Sequence, residues 1–136
     1  DCKDADVLVI TASAPMGKEN DRLVALKSSS KIVTSIVSSA MENGFNGFIV
    51  VVSNPVDIMT YVAYKVSGLP ANQIIGSGTL LDSARLQCHI ADCIDVDTKS
   101  IHAYVLGEHG DSEIHGVQFV WVVKIFIKSL KTIQLV

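Results

Sequence analysis

Two short, unbroken runs of apolar residues, Val7–Ile10 and Phe48–Val52, constrain the fold of this chain more than any other feature. Each run has the length of a β-strand and lacks alternating polar residues, which is typical of strands buried on both faces of a sheet. Between the runs, over roughly residues 19–42, apolar side chains recur at three- and four-residue steps, and this period predicts a helix. A helix that connects two such strands predicts that they are parallel.

The same alternation continues along the chain to residue 106. Ser53–Pro55 breaks the second strand, and its proline is well placed to open a helix. The later elements that the pattern predicts are a helix over 56–66, an extended segment at 74–75, a helix over 79–94 and a strand over 102–106. We therefore predict an α/β fold, in which half of a doubly wound parallel sheet is followed by the start of a further structure.

Composition excludes several classes of function. A net charge of −3 with scattered Lys and Arg argues against nucleic-acid binding, and the longest unbroken apolar stretch of the C-terminal part, Phe119–Val123, is too short to span a membrane. The three cysteines show no metal or redox spacing, so we predict a cytoplasmic protein without a metal site, with Cys88 and Cys93 in a helix core. A hydrophobic content of 49% predicts that part of the surface is buried against something else.

Polar residues follow the carboxyl ends of three predicted strands. Thr11–Arg22 follows the first strand, Ser53–Asn54 follows the second, and His109 lies between two glycines after the third. In doubly wound sheets, ligands bind at the carboxyl ends of the strands. Histidine exchanges protons near neutral pH, and flanking glycines allow another molecule to approach closely. His109 is therefore a candidate acid/base residue, with a loop histidine of no catalytic role as the alternative.

Four motifs taken together resemble the NAD-dependent L-2-hydroxy acid dehydrogenases, the lactate/malate dehydrogenase family. The motifs are Thr11–Pro15, Ser53–Asp57, Gly76–Arg85 and Gly107–Ser112, and the resemblance covers roughly residues 1–113. It implies hydride transfer between NAD and an L-2-hydroxy acid in a homo-oligomer, a dimer or a tetramer. It also implies three segments: the C-terminal part of a Rossmann-type dinucleotide-binding domain at 1–75, the start of a catalytic domain at 76–113 and an apolar tail at 114–136.

The resemblance also implies roles for five side chains. His109 matches the catalytic acid/base, and Asp82 matches the carboxylate that orients its imidazole. Arg85 matches the arginine that binds the substrate carboxylate, Arg22 the arginine on the mobile loop that polarises the reacting carbonyl, and Asn54 the amide that touches substrate and nicotinamide ribose. The alternatives are ordinary: a helix N-terminal charge, an i,i+3 surface pair of Asp82 with Arg85, a solvated arginine and a turn asparagine.

For NAD, the resemblance implies contacts made mostly through the backbone. The residues concerned are Ser13, Ala14, Ser35, Val52, Ser53 and Asn54. Met16 occupies the position that sets substrate choice in the family, where glutamine suits lactate and arginine suits malate. Because methionine offers no cation to a second carboxylate, we expect a branched or longer 2-oxo acid such as 2-oxoisocaproate, with pyruvate next. Malate dehydrogenase is the alternative enzyme.

The chain departs from the family pattern in two places. The glycine-rich turn and the acidic residue that bind the adenine half of NAD are absent, so we expect these residues alone to be inactive, and an inactive remnant is the alternative. After Glu113 the family pattern stops, and 114–136 is dominated by apolar residues. Codons permitted by this stretch, read in another frame, allow a sequence similar to the family's continuation. We therefore hypothesise that the reading frame of this tail is shifted.

Overall fold

The computed structural model describes residues 2–14, 22–110 and 114–117. The helices are α1 (Arg22–Glu42), α2 (Val56–Ser67) and α3 (Leu80–Ile94). The strands are β1 (Val7–Ile10), β2 (Phe48–Val51), β3 (Ile74–Gly76), β4 (Ala103–Leu106) and β5 (Ile114–Val117). Single 3-10 turns lie at Ala71–Gln73 and Thr98–Ser100. The chain divides into two compact units, Asp1–Gly78 and Thr79–Val136.

The first unit is built on a three-stranded parallel sheet in the order β1-β2-β3, which confirms the predicted α/β fold. Its buried side chains form one cluster that joins the sheet to both helices. Ile10, Ile49 and Val51 come from the sheet, while Val37 comes from α1 and Met59 from α2. The three- and four-residue spacing of apolar positions in the helices is what brings them into this cluster.

The strands of this sheet are not buried on both faces, so that prediction was wrong. Val7 and Val9 are 51% and 55% exposed, and Phe48 and Ile75 are 45% and 47% exposed. In register these residues share one face, opposite the face that packs against α1 and α2. Within the described residues both helices cover the same side of the sheet, which leaves the other side in contact with solvent.

The second unit contains a strand that the sequence does not predict. β5 pairs antiparallel with β4, and Leu106 lies opposite Ile114. β4 therefore belongs to its own two-stranded sheet and does not extend the parallel one. Four residues that include Gly116 carry too short a pattern to predict a strand, because glycine is disfavoured in strands and the pairing with β4 is a tertiary contact. Residues 118–136 of the predicted tail lie outside the described residues.

Helix α3 packs on β4 through one face. Ala91 lies in a buried cluster with Ile101 and Ala103, and Leu86, Ile90 and Ile94 pack against it. Cys88 and Cys93 are exposed, so the prediction that they are core residues was wrong. The apolar character of cysteine allowed either placement, and the α3 face that packs on β4 excludes both thiols. None of the described helices is long and apolar enough to cross a membrane.

Replacing Gly47 with alanine should destabilise the first unit by about 1–3 kcal/mol, the range for overpacking. A Cβ at this position would overlap the carbonyl group of Asp6. That carbonyl cannot move away freely, because it accepts a 2.8 Å hydrogen bond from the Phe48 N–H at the start of β2. Urea unfolding followed by circular dichroism measures the change. Asn46→Ala, next in the chain and exposed, is the control, and an equal loss in both variants would contradict the steric explanation.

Candidate active site

A carboxylate and an imidazole meet in the second unit, where the first turn of α3 faces the turn that follows β4. Asp82 lies in that first helical turn, and its Oδ2 is 2.7 Å from the Nδ1 of His109. Both atoms are shielded from solvent, although the His109 side chain as a whole is 31% exposed. Because an ionised carboxylate only accepts hydrogen bonds, this contact favours the neutral tautomer that carries its proton on Nδ1. Nε2 is then the nitrogen that can take up a proton from a bound ligand.

Arg85 lies beside the other oxygen of the same carboxylate. Its guanidinium is 3.8 Å from Asp82 Oδ1, in an i,i+3 arrangement, and its side chain is 65% exposed. A contact of this length and exposure contributes little to stability. The guanidinium fork therefore keeps donors available for a second, planar anion. The same geometry also fits the alternative, an ordinary i,i+3 surface pair of Asp82 with Arg85.

Three polar side chains bind the backbone of β4, two of them on α3 and one on the residue before it. Sequence reasoning missed all three. Thr79 Oγ1 donates to the Val105 carbonyl, Ser83 Oγ accepts from the Val105 N–H, and Gln87 Nε2 donates to the Ala103 carbonyl. They follow one another at four-residue steps, so they line one side of the helix. A polar stripe of this period beside a predicted strand is the signal that could have found them.

In the first unit, the loops that leave β1 and β2 are joined at their carboxyl ends. Ser53 is 3% exposed, and its hydroxyl donates to the Ala12 carbonyl at 2.6 Å and lies 3.2 Å from the Ile10 carbonyl. The N–H groups of Val52 and Ser53 also donate to Ile10. A ligand contact from these two backbones would therefore come through their carbonyl groups. Asn54 follows with an exposed side chain, and its peptide bond to proline is cis.

The other predicted cofactor residues of this unit have separate surroundings. Ser13 is exposed, while Ala14 is half-buried and its N–H donates to the hydroxyl of Ser29 at 3.1 Å. Ser35 is exposed on α1. Hydrogen bonds thus join the loop after β1 to the end of β2 through Ala12 and to α1 through Ala14, and Ser35 lies six residues after Ser29 on that helix.

Two of the predicted substrate residues cannot be placed. Met16 lies outside the described residues, and Arg22 is the first residue of α1 with a side chain outside the described part. Asp82, Arg85 and His109 belong to the second unit, and Asn54 belongs to the first. The roles assigned to all of these side chains stay predictions. The described residues contain no cluster of three or more His, Cys, Asp or Glu that could hold a metal ion.

Comparison with known proteins agrees with both units. The NAD-binding domain of lactate/malate dehydrogenase matches residues 1–76, and the alpha/beta C-terminal domain of the same enzymes matches 79–130. The chain belongs to the lactate/malate dehydrogenase family. This membership confirms the resemblance drawn from the four motifs. The second match extends beyond Glu113, and the hypothesis of a shifted reading frame stays a prediction that the nucleotide sequence of the gene tests.

Among curated relatives, the L-lactate dehydrogenase of Latilactobacillus sakei is 52% identical over 113 residues, which is 83% of this chain and 35% of the relative. L-lactate dehydrogenase 2 of Bacillus cereus is 50% identical over 114 residues, 84% of this chain and 36% of the relative. A solved lactate dehydrogenase from a deep-sea metagenome library has a TM-score of 0.88 at 43% identity, over 95% of this chain and 42% of that one.

The ligand-bound minor L-lactate dehydrogenase of Enterococcus mundtii gives a TM-score of 0.81 at 45% identity, over 84% of this chain and 36% of that one. The chain spans about a third of the length of the curated relatives it matches, 35% to 36% for the two named above.

Proposed function

We propose that this chain carries the acid/base pair and the carboxylate-binding arginine of an NAD-dependent L-2-hydroxy acid dehydrogenase. The observation that carries the proposal is the 2.7 Å contact between Asp82 Oδ2 and His109 Nδ1, with Arg85 on the other carboxylate oxygen. Family membership and relatives named L-lactate dehydrogenase support the reaction class. The match of residues 1–76 to the NAD-binding domain supports NAD as the cofactor.

The loops of the first unit suit a nicotinamide ring with its amide and ribose. Val52 is apolar and yet 42% exposed at the end of β2, directly before the polar pair Ser53–Asn54. An apolar surface beside polar groups fits a flat ring with polar substituents. Ser13, Ala14, Ser35, Val52, Ser53 and Asn54 would hold the cofactor. When bound, NAD accepts the hydride from C2 of the hydroxy acid.

The chain's own residues handle the proton and the negative charge. In the oxidation of L-lactate, His109 Nε2 takes up the proton of the substrate hydroxyl while the C2 hydrogen leaves as hydride. The imidazole then carries a positive charge, which the neighbouring Asp82 carboxylate stabilises. Arg85 binds the substrate carboxylate through two parallel hydrogen bonds, and Arg22 and Asn54 act on the reacting oxygen. In reduction, His109 returns the proton.

A hybrid enzyme tests this proposal. The stretch of Latilactobacillus sakei L-lactate dehydrogenase that aligns with this chain, 113 residues long, is replaced by the corresponding stretch of this chain. We expect the hybrid to reduce NAD in the presence of L-lactate, because the segment supplies every side chain named above. The unaltered relative is the positive control. A hybrid that folds and binds NADH but has no turnover would contradict the proposal.

Substrate choice provides a second test in the same hybrid. We propose that Met16 favours an apolar side chain on the substrate, so kcat/KM should be higher for 2-oxoisocaproate than for oxaloacetate by about tenfold or more, with pyruvate next. The variant Met16→Arg should reverse the order, because a guanidinium pairs with the second carboxylate of oxaloacetate. A preference for oxaloacetate in the unmodified hybrid would favour malate dehydrogenase instead.

We also propose a cytoplasmic homo-oligomer, a dimer or a tetramer, for the protein that contains this sequence. Apolar side chains are exposed on one face of the parallel sheet, at Val7, Val9, Phe48 and Ile75, and they indicate a surface that packs against further protein, in the same subunit or in another. Sedimentation of the hybrid at several concentrations measures its assembly.

A further inference from the structure

Two hydroxyl groups, one on α3 and one on its N-cap residue, bind the backbone N–H and the backbone carbonyl of Val105 in β4. Its N–H donates to Ser83 Oγ at 2.9 Å, and its carbonyl accepts from Thr79 Oγ1 at 2.5 Å. Ser83 is 8% exposed, so its hydroxyl is not available to bulk water. A buried hydroxyl that accepts a hydrogen bond from a strand backbone helps to fix the distance between helix and strand.

These hydroxyls replace a neighbouring strand. In the β4–β5 pair, Val105 lies opposite His115, and alternate residues of an antiparallel strand direct both backbone groups away from the partner strand. For Val105 those groups would otherwise need another strand or water. The two side chains therefore tie β4 to α3 at one residue, on the edge that β5 does not use.

The hydrogen bonds to Val105 connect the two segments that carry the acid/base pair. Thr79 and Ser83 enclose Asp82 in sequence, and Val105 precedes His109 by four residues. Gly107, with a φ angle of +99°, lies between them, and Gly110, with a φ angle of +148°, directly follows His109. Because glycines impose little conformational preference of their own, the position where β4 ends contributes to the position of the imidazole.

We propose that Thr79 and Ser83 are positioning residues, which set the separation of Asp82 and His109 by holding the end of β4 against the start of α3. The proposal rests on the proposed function, since it gives these hydroxyls a task in orienting the acid/base histidine. A displacement of about 1 Å in such a pair costs an enzyme about a hundredfold in rate.

Gln87 offers a matched control on the same helix and the same strand. Its Nε2 donates to the Ala103 carbonyl at 2.9 Å, so its removal also breaks one α3–β4 hydrogen bond. Ala103 is two residues farther from His109 than Val105 is. Loss of the Gln87 bond should therefore weaken packing without moving the imidazole.

The test uses the imidazole spectrum of the 136-residue chain, labelled with ¹⁵N, and needs no turnover. In the unmodified chain we expect neutral His109 to be protonated at Nδ1, unlike the exposed imidazoles of His89 and His102. Ser83→Ala and Thr79→Val should each abolish this single tautomer and produce the mixture seen for the exposed histidines. Thr79→Ser, which keeps the hydroxyl, should preserve it, and so should Gln87→Ala.

Amide spectra show which variants are folded, and faster exchange of the Val105 N–H in Ser83→Ala shows that its bond is lost. Either folded hydroxyl variant decides the question by itself. An unchanged Nδ1-protonated His109 in that variant would overturn the proposal, as would equal loss of the tautomer in Gln87→Ala. If the unmodified chain lacks the Nδ1 tautomer, the Asp82–His109 pair itself fails, and the proposed function fails with it.

Discussion

Replacing His109 with glutamine should lower the turnover of the hybrid enzyme with L-lactate by about 10²–10⁴-fold, the usual contribution of a general acid/base group. Glutamine keeps a polar side chain of similar reach but cannot take up a proton. Asp82 would then lie 2.7 Å from a position that no longer becomes a cation, so its stabilising effect is lost as well. Initial rates of NADH formation measure the change.

His102→Gln is the matched control for this variant. His102 is exposed and directly precedes β4, in the same unit as His109. The same exchange of side chains there should leave turnover within about twofold, since surface substitutions have small effects on the fold. NADH binding should be unchanged in both variants. Turnover of His109→Gln equal to that of the control would exclude His109 as the acid/base.

Arg85→Lys should lower kcat/KM for L-lactate by about two to three orders of magnitude, even though the charge is kept. A lysine ammonium is a point charge and cannot form the two parallel hydrogen bonds that a guanidinium makes with a carboxylate. The expected fall corresponds to about 3–4 kcal/mol of lost transition-state binding, at about 1.4 kcal/mol for each factor of ten. The Arg85 side chain is 65% exposed, and its 3.8 Å contact with Asp82 is long for an ion pair. Its replacement should therefore barely change the urea midpoint.

Lys99→Arg provides the reverse exchange on the exposed 3-10 turn of the same unit and should leave kcat/KM unchanged. An Arg85→Lys hybrid with normal kcat/KM would show that the ordinary i,i+3 surface pair describes this arginine completely. A loss of stability as large as the loss of activity would instead assign Arg85 a structural role.

The period of apolar residues was enough to predict the elements of the first unit. β1 begins and ends at the predicted residues, and α2 differs from its prediction by one residue, because Pro55 and Gly68 bound it. Burial could not be predicted in the same way. An unbroken apolar run indicates that a strand can be covered on both faces. The exposure of Val7 and Val9 depends on whether a helix packs on their face of the sheet.

The candidate site shows the same division. Motifs were enough to single out Asp82, Arg85 and His109, and the structure brings these three together, although their roles stay predictions. Thr79 and Ser83 left only their four-residue spacing as a signal, since Ser and Thr are common at the start of helices and their partner is backbone of any sequence. Which strand backbone they bind becomes visible only when helix and strand are placed side by side.

A double-mutant cycle on Asp82→Asn and His109→Gln in the hybrid enzyme tests the central claim most directly. The claim is that the carboxylate acts on the substrate only through the imidazole, so removing the imidazole should abolish the effect of the carboxylate. We predict that Asp82→Asn alone slows turnover by about 10²–10⁴-fold. The double variant should be no slower than His109→Gln alone. Losses that multiply in the double variant would contradict the account.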